Sequence, residues 1–209
     1  MTFEIWIMYV GTVLAFMSTP GPSHLLMLSN SATHGLGRSL ATAWGDLTAN
    51  FFQMLAAGFG LAALLTASAN ALTVIKWLGV AYLLWLGVKM IVKASASDAT
   101  RTEPQKSANL KTLWLQGFLT SAANPKAVVF FAAFFPQFIS SDAPFAAQFV
   151  ILSLTYLVID GVFLTAYGSG AAWIGRKFKG DAKKWIERFG GGFMIGAAVL
   201  LGLKTAGER

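Results

Sequence analysis

The sequence predicts an all-α polytopic membrane protein: six transmembrane helices in two inverted three-helix repeats, the first helix of each repeat broken. Three observations predict it. The 209 residues are 56% hydrophobic and only 12% charged, with mean hydropathy +0.61, whereas a soluble domain is about a quarter charged. The apolar residues gather into six stretches, each near the roughly 20 residues that a span requires. Finally, the first stretch of each half is interrupted, by Thr19-Pro20-Gly21-Pro22 and by Asn124-Pro125-Lys126. Three helices per half reverse the second half, so a repeat here must be inverted.

Segment one spans Phe3 to Thr33. Its first charge is the acidic Glu4 and no small-x-small cleavage site precedes the prolines, so it reads as an uncleaved helix rather than a signal peptide. Pro20 and Pro22 remove backbone donors and stop the helix. Gly21 permits the turn. Ser23 is placed to cap the half-helix that restarts, whose partly positive end suits a carboxylate. A plain packing kink is the alternative.

Segment two spans Ser39 to Leu65. Thr42, Asp46, Asn50 and Gln53 fall on one helical face. Asn50 and Gln53 suit helix packing as well as function. Asp46 points to function, because a carboxylate at membrane depth costs several kcal/mol. Segment three spans Ala71 to Val92, and Lys93 to Lys111 form a polar linker.

Segment four spans Thr112 to Ile139, with Gln116, Thr120 and Asn124 on its polar face. Lys126 lies about 21 Å along it at the helical rise, beyond the reach of snorkelling. Its ammonium is expected either to pair with a buried aspartate or to bind substrate. Segment five spans Pro144 to Trp173, with Ser153, Tyr156, Asp160 and Tyr167 on one face. Asp160 lies deep in it and invites the same argument as Asp46. A basic loop from Arg176 to Arg188 leads to segment six, Phe189 to Lys204, where Gly192-x-x-x-Gly196 is a pattern that packs helices within one chain or between two copies.

The repeats are accordingly residues 1–93 and 112–209, joined by a cytoplasmic linker at 94–111. Twelve of the fifteen Lys and Arg outside the spans fall in loops one, three and five. The positive-inside rule places those loops in the cytoplasm and both termini outside. The formal charge of +7 is thus a topology signal, not a nucleic-acid footprint. There is no cysteine, and the two histidines, His24 and His34, are too few for a histidine metal cluster. No cofactor is expected. No nucleophile elbow or His/Glu metal motif points to an enzyme. An exporter of metal or another inorganic cation would want more converging carboxylates than Asp46 and Asp160.

Thr-Pro-Gly-Pro in the first span, Gly45-Asp46 in the second, Asn124-Pro125-Lys126-Ala127 in the fourth and the run from Phe130 to Phe138 resemble, in order and spacing, the lysine exporter and homoserine–threonine resistance family. That family commonly carries Asn after Thr-Pro-Gly-Pro, where this chain has Ser23. The resemblance covers the whole chain. It implies an exporter of a small zwitterionic amino acid in the bacterial inner membrane, driven by an ion gradient. The expected site is Thr19, Pro20, Gly21, Pro22, Ser23, Asp46, Asn50, Asn124, Pro125, Lys126, Tyr156 and Asp160, with a proton carried by one aspartate.

Overall fold

The computed structural model describes residues 1–58, 77, 80–82, 84–92, 108–140, 143–177, 185, 188–193, 195–196 and 199. Among them the chain is helical, with no strand. The ends of segments two and six, the start of segment three, most of the linker and of the basic loop lie outside the described residues.

Segment one is two helices, α1 (Phe3–Ser18) and α2 (Pro22–His34), bent by 57° at the break. Pro22 takes the first helical position of α2 and Gly21 becomes its N-cap. Proline suits that position because its missing N–H would have no partner there. This displaces the expected cap. Ser23 sits inside the helix, and the Gly21 N–H is met by Nδ1 of His24 at 3.4 Å. The helix α3 (Leu36–Gly58) follows after a single residue. Gly35 makes that turn at φ 77° and donates its N–H to the Ser31 carbonyl at 3.0 Å, a left-handed conformation glycine adopts without penalty.

After α4 (Val80–Val92), α5 (Leu110–Ala122) begins the second half. Asn109 caps it by accepting the Lys111 N–H at 3.1 Å. Asn124 likewise caps α6 (Pro125–Val129), accepting the Lys126 N–H at 3.1 Å, with Pro125 at the first helical position. The expected run to Ile139 does not stay α-helical. It passes into a π turn at Phe130–Phe134 and a 3₁₀ turn at Phe135–Phe138, where Pro136 withdraws a donor from the ladder. Phe130, Phe131 and Phe135 pack there against Tyr9, Met17, Met54, Phe149, Leu152 and Tyr156.

The last long helix, α7 (Phe145–Lys177), is inside-out by soluble standards. Val150, Leu154, Val158 and Val162 form an exposed stripe, while Gln148, Ser153, Tyr156 and Asp160 are buried. Polar side chains facing inward and apolar ones outward is the arrangement lipid demands. Phe145–Trp173 is long and apolar enough to cross a membrane, and the bent pair α1–α2 passes the same test as one span.

Among the described residues two close backbone crossings join the helices. A Cβ on Gly45 would lie 1.9 Å from the Trp114 carbonyl oxygen, and one on Gly117 2.0 Å from that of Thr42. So α3 and α5 touch main chain to main chain. The second crossing is reciprocal. A Cβ on Gly87 would meet the Gly191 oxygen and the Ile195 side chain, and a Cβ on Gly191 would meet the Gly87 oxygen and the Ile91 side chain. Gly192 and Gly196 face open space among the described residues.

Candidate functional site

The two breaks meet. A Cβ on Gly21 would lie 3.5 Å from Lys126 Cδ and 3.6 Å from Asn124 Nδ2, and that amide donates to Ser23 Oγ at 3.4 Å. Around this junction lies a cavity lined by Phe16, Met17, Ser23, His24, Asp46, Asn50, Ser121, Asn124, Lys126, Ala127, Tyr156 and Asp160. Its volume is about 10 Å³, room for about one water.

The carboxyls of Asp46 and Asp160 are both buried and within hydrogen-bonding reach of each other. Asn50 bridges them. Its Nδ2 donates to Asp46 Oδ2 at 2.8 Å and to Asp160 Oδ2 at 2.7 Å. Its own carbonyl oxygen accepts from Ser121 Oγ at 2.8 Å, which fixes the amide's direction. One neutral amide cannot balance two negative charges in a buried site. The pair is therefore built to take up positive charge, whether as a proton or as a cationic group.

Lys126 does what neither sequence alternative proposed. Its ammonium donates to the carbonyls of Phe16 and Thr19 and lies 4.2 Å from the centre of the Phe16 ring. Those carbonyls end α1 and have no helical partners, because the chain breaks there. A cation at that end also meets the negative pole of the helix. Lys126 thus closes the first helix of one half from the break of the other.

Seven of the twelve expected residues line one cavity, Ser23, Asp46, Asn50, Asn124, Lys126, Tyr156 and Asp160, and Gly21 lies beside Asn124 and Lys126. Thr19 and Pro20 are exposed; Thr19 takes part through its carbonyl. Pro22 and Pro125 contribute by starting the half-helices. Thr42, Gln53, Gln116 and Thr120 of the predicted polar faces serve packing. Asn30 donates to Thr42 at 2.9 Å and to Gln116 at 3.2 Å, and Tyr82 OH lies 3.3 Å from Thr120. Gln53 donates to the Ser121 carbonyl at 3.2 Å. The sequence reading missed His24 and Ser121. A histidine three residues past Gly21, and a serine three before Asn124, were the signals.

The LysE type translocator family model matches residues 5–205. The chain is 34% identical to the homoserine/homoserine lactone efflux protein of Salmonella typhimurium, over 99% of this chain and all of that one. It is 33% identical to the protein of that name in Salmonella typhi, with the same coverage. An uncharacterized membrane protein of Vibrio cholerae is 31% identical over 99% of this chain and its own full length. No solved structure matches. A full-length family match and relatives of equal length agree with the broken helices and the inward-facing carboxyls, and the chain belongs to the LysE type translocator family of membrane proteins.

Proposed function

We propose that this translocator exports a small amino acid or derivative of the homoserine type in exchange for protons. The observation that carries the reading is the Asp46–Asn50–Asp160 bridge, buried where two broken helices meet. One proton shared by the pair and one substrate ammonium offset the same single negative charge and compete for the same oxygens. Mutual exclusion at one site is what couples two opposed fluxes. A cavity with room for about one water corresponds to a closed form. Export then requires the site to open to each side in turn, and the 57° break is a ready hinge.

Six spans in two inverted repeats, 1–93 and 112–209, serve that cycle. Two likenesses support the repeat. Pro22 and Pro125 both occupy the first position of a restarting half-helix, and the Gly87–Gly191 crossing reads the same from either side. In the inner membrane the linker at 94–111 faces the cytoplasm and both termini the periplasm. The chain has no native cysteine, so one cysteine placed in the linker reports cleanly. It is expected to resist an impermeant thiol reagent in intact cells and to react after lysis. Labelling in intact cells would reverse the orientation.

Transport itself is tested in two ways. Cells overproducing the chain should tolerate more homoserine, threonine or homoserine lactone than cells with an empty vector. Proteoliposomes should move the same compounds when a proton gradient is imposed. Absence of both effects for every amino acid tried sinks the reading.

A further inference from the structure

We infer that His24 is a substrate-reading residue: its Nε2–H and Asp46 Oδ1 together hold an α-ammonium and the adjacent carbonyl oxygen. The inference rests on the amino-acid export reading above. His24 is 5% exposed and lines the cavity at the break. Its Nδ1 accepts the Gly21 N–H at 3.4 Å, so the neutral ring carries its hydrogen on Nε2. The edge of the ring is held against Tyr167, with centroids 4.9 Å apart. Nε2 itself meets no partner among the described residues.

A buried donor without an acceptor costs about 1–3 kcal/mol and calls for an explanation. The cavity supplies one. Among the described residues, the buried side-chain atoms without a partner that belong to residues lining it are His24 Nε2 and Asp46 Oδ1. One donates and the other accepts. An amino acid offers the complement, an ammonium beside a carbonyl oxygen.

Lys126 is the cation that would ordinarily be assigned to a substrate carboxylate, but its ammonium is already held by the Phe16 and Thr19 carbonyls. The lining donor left without a partner is a neutral N–H. Such a donor serves a carboxylate, an ester or a lactone carbonyl with little preference, whereas an ammonium would favour the charged acid. The site therefore reads the α-amino carbonyl unit and is indifferent to whether the acid is free or esterified.

Two variants separate this role from a structural one. Asparagine keeps an acceptor near the position of Nδ1 but does not reach that of Nε2. Glutamine reaches the position of Nε2 with an N–H but gives up the acceptor. Binding of L-homoserine and L-homoserine lactone to purified protein is followed through ligand-dependent thermal unfolding. His24→Asn is expected to unfold like wild type without ligand and to bind both probes about tenfold more weakly. His24→Gln is expected to unfold earlier yet bind within about threefold of wild type, since it keeps the donor. Wild-type affinity in His24→Asn overturns the inference alone, as does a folded His24→Gln that binds no better than His24→Asn. Should wild type bind neither probe, the export reading for this substrate class fails and takes the inference with it.

Discussion

Asp160→Asn is expected to cut proton-driven efflux by about a hundredfold while the protein stays folded and inserted. The bridge explains why the two effects separate. The new amide keeps an oxygen that can accept from Asn50, so the 2.7 Å contact survives. Its N–H₂ can turn toward the Asp46 carboxylate and take the place of a shared proton. The variant therefore imitates the proton-loaded pair permanently, and a site that cannot release its proton cannot exchange it. Asp46→Asn should fail equally, having lost the acceptor for a substrate ammonium as well. Alanine at either position is the harsher change, because Asn50 would keep a buried donor with no acceptor, at a cost of about 1–3 kcal/mol. Efflux from proteoliposomes under an imposed pH gradient, with thermal unfolding measured in parallel, resolves the two effects. If both asparagine variants export at the wild-type rate, the carboxyls play no part in coupling.

That these residues stand out in the sequence reflects the cost of polar groups in lipid. Asp46, Asp160 and the two proline breaks are expensive where they stand, so each stood out from an apolar background, and the structure gathers them. What escaped reading depended on partners that are not residue types. The acceptors for Lys126 are main-chain carbonyls of Phe16 and Thr19, freed by a break over a hundred residues away in sequence. No count of acidic side chains would have found them. Ser23 was misread as a cap because Pro22 and Ser23 compete for the start of the half-helix, and proline's fixed φ settles the register. His24 was hidden by its tautomer: one nitrogen satisfies the turn, and only the geometry reveals that the other is left over. The π turn at Phe130–Phe134 has no signature in a phenylalanine-rich run, since every face there is apolar.

Adding one methyl group at the α3–α5 crossing is expected to do nearly as much damage as removing a carboxylate, from a position that touches no substrate. A Cβ on Gly45 would stand 1.9 Å from the Trp114 carbonyl oxygen and 2.8 Å from the Phe118 nitrogen. On Gly117 it would stand 2.0 Å from the Thr42 oxygen and 3.1 Å from the Asp46 nitrogen. These neighbours are main-chain atoms of helices, which cannot rotate aside as a side chain would. The helices must separate, at about 1–3 kcal/mol or more for each substitution. Separation matters beyond stability because Asp46 and Asn50 ride on α3 while Ser121, which orients the Asn50 amide, rides on α5. A displacement of about 1 Å at such a site is enough to cost two orders of magnitude in rate. Gly45→Ala and Gly117→Ala should therefore each lower the unfolding temperature and reduce efflux steeply. Gly11→Ala, where a Cβ meets nothing within 4 Å, is the matched control and should do neither. Wild-type efflux and unfolding in both crossing variants would mean that α3 and α5 do not meet main chain to main chain, and the bridge between Asp46, Asn50 and Ser121 would have to be rebuilt on another packing.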